Sequence, residues 1–438
     1  MDGERRKFVQ GVMGIFGHGC VTGMGQALEQ QEGGLRYIRI QNEQAGVHTA
    51  VAYAKQVNRL GIYAVLSSIG PGASNMITGA ATATVNRVPV LLLPSDIFAD
   101  RQPDPVLQQT EDPSNYTSVV NDCFKPVSRY WDRIYRPDQL MVAALNAMRV
   151  LTDPADTGAV VLCLPQDVQC EAYDYPEDFF AERVWRVDRR PISSESLRLA
   201  GDLIKAAKAP LLIAGGGVHY SLATDALKRF VEATGIPVAE TEAGKSALPW
   251  NHPLNLGGMG VMGTSAANIA ARDADLIIAV GTRLMDFTTI SKAAFQNPDV
   301  KLIHINVSLF DALKMDGVPV LADAREALTT LTDLLEAAGY GTDAEYRDLV
   351  ACLKADWDAE VDRLYAAEPP EGAPAGYLAQ TAVFGAVNRA CRDEDVVICA
   401  AGSLPGDLQR LWRSVLPKNF HPSMASRAWG TRPRAGSA

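Results

Sequence analysis

Ile38-Arg39-Ile40-Gln41-Asn42-Glu43-Gln44-Ala45 is the stretch that decides the fold. It is a short strand that runs into a polar pair and opens a helix on a glutamate. The helix continues from Gln44 to Leu60, with Val47, Ala50, Val51 and Ala54 on one apolar face. Further along, Ala64-Val65-Leu66-Ser67 is a second strand, and Gly70-Pro71-Gly72 turns into a small-residue helix from Asn75 to Val85. The runs Val88 to Pro94 and Gly158 to Pro165 are apolar on both faces, as interior strands of a parallel sheet are. Strands alternating with helices predict a doubly wound α/β domain over residues 1–170.

A polar, proline-bearing linker is expected over 171–194. Residues 195–340 repeat the alternation. A helix from Leu197 to Ala207 precedes the strand Pro210–Ala214, with later strands at Ile236–Ala239, Ala274–Val280 and Val300–Asn306. Helices over Ala324–Ala338 and Ala344–Ala366 lead through a helical linker, residues 341–372, to Glu368-Pro369-Pro370-Glu371-Gly372. A third domain starts at 373–422 with a helix, Leu378–Cys391, and the strand Val396–Cys399, and is expected to stop before it builds a sheet. The fold class is therefore α/β, with two doubly wound parallel-sheet domains and the start of a third.

At 438 residues the chain is too long for a single core. Its formal net charge of −10 argues against nucleic acid or an anionic membrane as partner. No apolar run reaches the ~20 residues of a membrane span. Seven cysteines, scattered and without a C-x-x-C pair, point to a reduced cytoplasm and no zinc site.

Glu43 is the first site candidate. A carboxylate at the carboxyl end of a strand faces the crevice where open α/β sheets bind ligands, but an acid in a first helical turn also complements the helix dipole. Local sequence leaves both open. The ordered set around it is more specific: Phe16-Gly17-His18-Gly19, Asn42 to His48, Ser68-Ile69-Gly70-Pro71-Gly72-Ala73-Ser74-Asn75, Pro89 to Pro94, and Gly158 to Val168. This set resembles the pyrimidine-binding domain of the acetolactate-synthase-like thiamine-diphosphate enzymes. Finer features are similar to the inositol-catabolic branch of that family, which opens a cyclic polyol dione. They are Asp100 to Gln109, Ser128 to Ile134, Glu242 to Trp250 and Ala400 to Leu408. The resemblance covers residues 8 to 422.

The resemblance implies thiamine diphosphate as cofactor and Mg2+ to anchor its diphosphate. It implies a domain that binds the cofactor's pyrimidine, a central domain, and a homodimer or larger homo-oligomer whose sites form between subunits. Glu43 would hydrogen-bond the aminopyrimidine and favour its imino tautomer, which activates the thiazolium for attack on a ketone of the dione. His18 and His48 are candidates for proton transfer, or else hydrogen-bonded structural histidines. Gly70, Pro71 and Gly72 offer close backbone approach to the cofactor, or are only a turn. Gln109 is a candidate substrate contact.

Three motifs are set aside. Gly244-Lys245-Ser246 ends like a phosphate loop, but the leading glycine of that pattern falls on Ala239. Gly215-Gly216-Gly217 after a strand is a weak dinucleotide signal and is expected to be structural. Asp407 sits in Gly-Asp-Leu, without the second glycine of a metal motif.

The sequence also departs from the family. Gly-Asp-Gly, which with a distal Asn holds magnesium and diphosphate, occurs nowhere in it. No metal ligand is assigned. After His421-Pro422 the family continues Glu-Tyr-Gly-Phe-Ser-Cys-Met-Gly-Tyr-Glu. With ordinary codons, removal of one G at that boundary gives Ser-Met-Ala-Ser-Arg-Ala-Trp-Gly-Thr-Arg, which is residues 423–432. Residues 423–438 are thus expected to be an out-of-frame tail and Met1 an internal start, leaving the third domain truncated and this polypeptide inactive by itself. The competing expectations are an acetolactate-synthase-like carboligase and a non-catalytic assembly subunit.

Overall fold

The computed structural model describes residues 6–16, 21–31, 34–101, 106–108, 112, 114–115, 117–369, 371–399 and 402–422. His18, Gln109 and the tail from Ser423 lie outside them. The chain divides into two compact units, with the boundary in sequence between Asp188 and Arg189.

The first unit holds β1 (Val9–Gly14), α1 (Thr22–Gln30), β2 (Arg36–Arg39), α2 (Glu43–Gln56), β3 (Ile62–Ser67), α3 (Pro71–Val85), β4 (Val90–Asp96), β5 (Tyr130–Arg133), α4 (Gln139–Leu151) and β6 (Ala159–Pro165). Its six strands are all parallel, in the order β2-β1-β3-β4-β6-β5. Val65, Val90, Leu92 and Val161 on the strands close on Val47, Ala50, Ala73, Met76 and Ala80 of α2 and α3 to make one core. Small residues on these helices let them lie close to the sheet, and apolar burial of this kind contributes about 25 cal/mol per Å². At the carboxyl ends of β4 and β5, Arg133 Nε donates to Asp96 Oδ2 at 2.7 Å, with both side chains buried. Cys163 is fully buried in β6, and burial pushes its thiol well up.

The second unit contains α5 (Ser194–Ala206), β7 (Pro210–Ala214), α6 (Gly216–Tyr220), α7 (Thr224–Thr234), β8 (Val238–Glu240), β9 (Asn255–Gly258), α8 (Ser265–Asp273), β10 (Leu276–Val280), α9 (Asp286–Thr289), β11 (Lys301–Asn306), α10 (Leu309–Ala312), β12 (Val318–Leu321), α11 (Ala324–Ala337) and α12 (Ala344–Tyr365). The sheet order is β12-β11-β10-β7-β8-β9, again all parallel. The chain starts at the centre, winds outward to β9, then crosses back to β10 and winds the other way. That reversal is what makes a sheet doubly wound. Every residue of β7 and β10 is buried, because helices cover both faces. One core lies under α5, α7 and α11, the other under α8 and α12.

The same unit continues into α13 (Gln380–Ala390), β13 (Val397–Cys399), α14 (Ser403–Leu411) and β14 (Phe420–Pro422). Here the expectation of no sheet is corrected. β13 and β14 pair in parallel, and α14 crosses between them. Val361 and Tyr365 of α12 pack against Phe384, Cys399, Leu408, Leu411, Trp412 and Phe420, and Tyr365 Oη donates to Leu411 O at 2.5 Å. Tyr377, Leu378, Val387, Val396 and Leu416 stay exposed around this small core.

Candidate functional site

α2 begins at Glu43 because Asn42 stops the strand. Asn42 is extended, and its side-chain oxygen accepts the Ala45 N–H at 3.1 Å, the usual role of an N-cap asparagine. Glu43 is thereby fixed as the first residue of the helix, with only 8% of its surface exposed.

α3 begins at Pro71, four residues before the expected Asn75. Proline at the first helical position has no N–H to leave unpaired. Gly70, its N-cap, has φ +59, a conformation that only glycine adopts without strain. The early start places Asn75 one turn into the helix, where Nδ2 donates to Glu43 Oε2 at 3.0 Å. Gly72 faces the same carboxylate. A Cβ built there would lie 3.1 Å from Glu43 Oε1 and 2.5 Å from Ser68 Oγ. Oε1 accepts no hydrogen bond among the described residues. The starts of α2 and α3 therefore hold one carboxylate oxygen and leave the other open to an incoming donor.

The remaining candidates are placed as follows. His48 is buried in α2, with Nε2 3.4 Å from Gln44 Nε2. Gly70 packs against the loop that leads to Gln109, since a Cβ on it would lie 1.5 Å from Gln108 O. Asn75, quoted in the motif but assigned nothing, is the residue that sequence reading missed. Its signal was the spacing Gly-Pro-Gly-x-x-Asn, which sets an amide one turn past a proline-started helix.

In the second unit, the triple glycine is a packing device. Cβ atoms on Gly215 and Gly217 would lie 2.4 Å from Gly281 O and 2.5 Å from Gly281 Cα, so backbone fills the switch point between β7 and β10. Lys245 is buried rather than looped over a phosphate, and burial lowers its ammonium pKa. Burial pushes Glu240 up to about 7, opposed by Lys245, and drives His219 down to about 4. Asp407 accepts from Gln380 Nε2 at 2.8 Å on the surface of α14. Among the described residues no group of three His, Cys, Asp or Glu side chains could hold a metal ion. None of their helices is long and apolar enough to cross a membrane. Among the described residues, Cys123, Cys163, Cys170, Cys352, Cys391 and Cys399 form no disulfide.

Comparison with known proteins shows which family the chain belongs to. The family model described as thiamine pyrophosphate enzyme, N-terminal TPP binding domain, matches residues 6–116. The one described as thiamine pyrophosphate enzyme, central domain, matches residues 197–331. These matches define the class as that of the thiamine pyrophosphate enzymes. The chain is 52% identical over 440 residues to 3D-(3,5/4)-trihydroxycyclohexane-1,2-dione hydrolase of Clostridium tetani, with 96% of this chain and 68% of the relative covered. It is 50% identical to the proteins so named in Bacillus cereus and Clostridium perfringens, with the same coverage. The chain belongs to the family that these hydrolases form.

Proposed function

We propose that this chain supplies the pyrimidine half of the active site in a cytoplasmic, homo-oligomeric hydrolase. The enzyme opens the ring of 3D-(3,5/4)-trihydroxycyclohexane-1,2-dione to 5-deoxy-glucuronate in myo-inositol catabolism. The observation that carries this is the Glu43 carboxylate, with Oε2 tied to Asn75 and Oε1 beside Gly72 accepting no hydrogen bond among the described residues.

Thiamine diphosphate, when bound, supplies the electron sink for the carbon–carbon cleavage. The residues present fit its aminopyrimidine end. Glu43 Oε1 would accept a hydrogen bond from the protonated ring nitrogen, which would favour the imino tautomer. Gly72 lacks the methyl group that would fill the space beside it. His48 and His18 are the candidates for proton transfer or for binding substrate hydroxyls, and Gln109 is a candidate substrate contact; of these only His48 lies among the described residues.

The residues present do not fit Mg2+. The oxygen ligands that a hard cation needs are not assembled among the described residues, and the sequence holds no Gly-Asp-Gly. No step is drawn through the metal. Hydrolysis by this reading requires a diphosphate half that the described residues do not supply.

The test is a chimera of residues 1–422 with the segment of the Clostridium tetani relative that follows its match to this chain. With thiamine diphosphate and Mg2+ the chimera opens the dione, and Glu43→Gln lowers turnover at least ~100-fold, the scale of general acid–base catalysis. Full turnover by the Glu43→Gln chimera would refute the proposal.

A further inference from the structure

We infer that Asn75 is the positioning residue for Glu43: its side-chain amide fixes the carboxylate so that Oε1 is presented to the aminopyrimidine. The inference rests on the reading of Glu43 given above and extends it to a residue with no assigned role.

Glu43 stands at the first position of α2, where a long side chain has several rotamers and pays an entropic cost to keep one. The polar neighbours are committed elsewhere. Asn42 uses its oxygen to cap Ala45, Gln44 faces His48, and Ser74 Oγ donates to Pro71 O at 2.9 Å. Among the described residues, the only hydrogen bond to the Glu43 side chain comes from Asn75, at 3.0 Å and from 32 positions along the chain. It therefore joins the starts of two helices that follow different strands.

The chemistry of the donor matters as much as its place. A lysine or arginine would form an ion pair and compete with the aminopyrimidine for the carboxylate. A neutral amide gives one directional N–H and no charge. It orders Oε2 and leaves the acceptor strength of Oε1 for the ligand. The position in α3 that allows this depends on Pro71 starting the helix, so the Gly-Pro-Gly segment acts here as a mount for Asn75. Its geometry is set before any cofactor arrives, which is what preorganisation requires.

The test uses the 438-residue protein and free thiamine, which carries the aminopyrimidine without the diphosphate. Ligand-observed NMR on the pyrimidine protons gives the dissociation constant without turnover. Asn75→Ala is expected to weaken thiamine about 10-fold, the scale of one hydrogen bond to a charged group. Glu43→Gln weakens it by a similar factor, and the double variant binds no worse than Glu43→Gln alone, because both changes remove one arrangement. Additive losses would show that Asn75 acts only on helix packing, and would overturn the inference.

Asn75→Asp keeps the volume and covers the case in which alanine does not fold. It sets a second carboxylate against Glu43 and is expected to weaken thiamine more than alanine does. Binding by Asn75→Asp equal to wild type would also overturn the inference. If Asn75→Ala binds normally while Glu43→Gln does not, Asn75 loses its role and the reading of Glu43 stands. Thiamine binding that ignores Glu43→Gln refutes that reading itself.

Discussion

Gly72 lies against the carboxylate of Glu43: a Cβ built on it would come within 3.1 Å of Oε1 and 2.5 Å of Ser68 Oγ. The backbone of Gly72 needs no left-handed conformation, so its requirement is for space alone. Gly72→Ala is predicted to cost about 1–2 kcal/mol through overpacking. It should also displace Oε1 and weaken thiamine about 10-fold, a loss on the scale of one hydrogen bond to a charged group. Denaturant unfolding reads the first effect and ligand-observed NMR the second. Normal affinity in Gly72→Ala would mean that the space above Gly72 is not the pyrimidine seat.

Asp96 and Arg133 tie the carboxyl ends of β4 and β5 through a buried contact of 2.7 Å. Arg133 also reaches Asp122 at 3.4 Å, and the Asp96 partner raises the guanidinium pKa against its burial. Arg133→Met would leave the Asp96 carboxylate buried and unpaired. The expected loss is about 3–5 kcal/mol in denaturant unfolding, and Asp96→Leu combined with Arg133→Met should recover part of it. Equal losses for the single and double variants would contradict this.

His219 is buried in α6, with Nε2 3.1 Å from Lys245 O and Nδ1 unpaired among the described residues. Burial lowers its pKa from 6.5 to about 4, so the unfolded chain binds the proton more readily. The contribution is fully present above pH 6.5 and is lost as pH falls towards 4. By pH 5 the cost is on the order of 2 kcal/mol. Glu240, raised to about 7, has the opposite sign and disfavours folding as pH rises from 4.5 to 7. Comparing wild type with His219→Gln by urea unfolding from pH 8 to pH 5 cancels the Glu240 contribution. The difference should close as pH falls, and a constant difference would contradict the assignment.

The interior strands β3, β4, β6, β7 and β10 were legible in sequence because burial on both faces gives largely apolar runs, and β11 was legible from Leu302, Ile303 and Ile305 despite Lys301 and His304. Of the strands at or near the sheet edges, β2 and β8 were read, and β5, β9 and β12 were not. β5 carries Asp132 and Arg133, β9 contains Gly257 and Gly258, and β12 carries Pro319, which removes a backbone donor at an edge where that is tolerated. β1 was missed for its glycines, Gly11 and Gly14. A Cβ on either would meet the neighbouring strand, at Arg36 O and Leu66 respectively.

At the site, the helix start at Glu43 was legible in the sequence, while the Asn42 cap that fixes it is a finding of the structure. The link to Asn75 was not legible, because it depends on two helices meeting and on α3 starting at Pro71. Pairing of β13 with β14 was equally hidden. Phe420-His421-Pro422 is too short to show a period, and it becomes a strand only when Val397, Ile398 and Cys399 offer it a partner.

The most direct measurement is deuterium exchange at the thiazolium C2 of thiamine diphosphate bound to the chimera, followed by proton NMR after acid quench. It needs no dione and reads the activating step that Glu43 is proposed to control. The account predicts that the wild-type chimera speeds exchange at least ~100-fold over Glu43→Gln, as a positioned acid–base group does. Equal exchange rates in the two proteins would contradict the assignment of Glu43 and, with it, the functional reading of this chain.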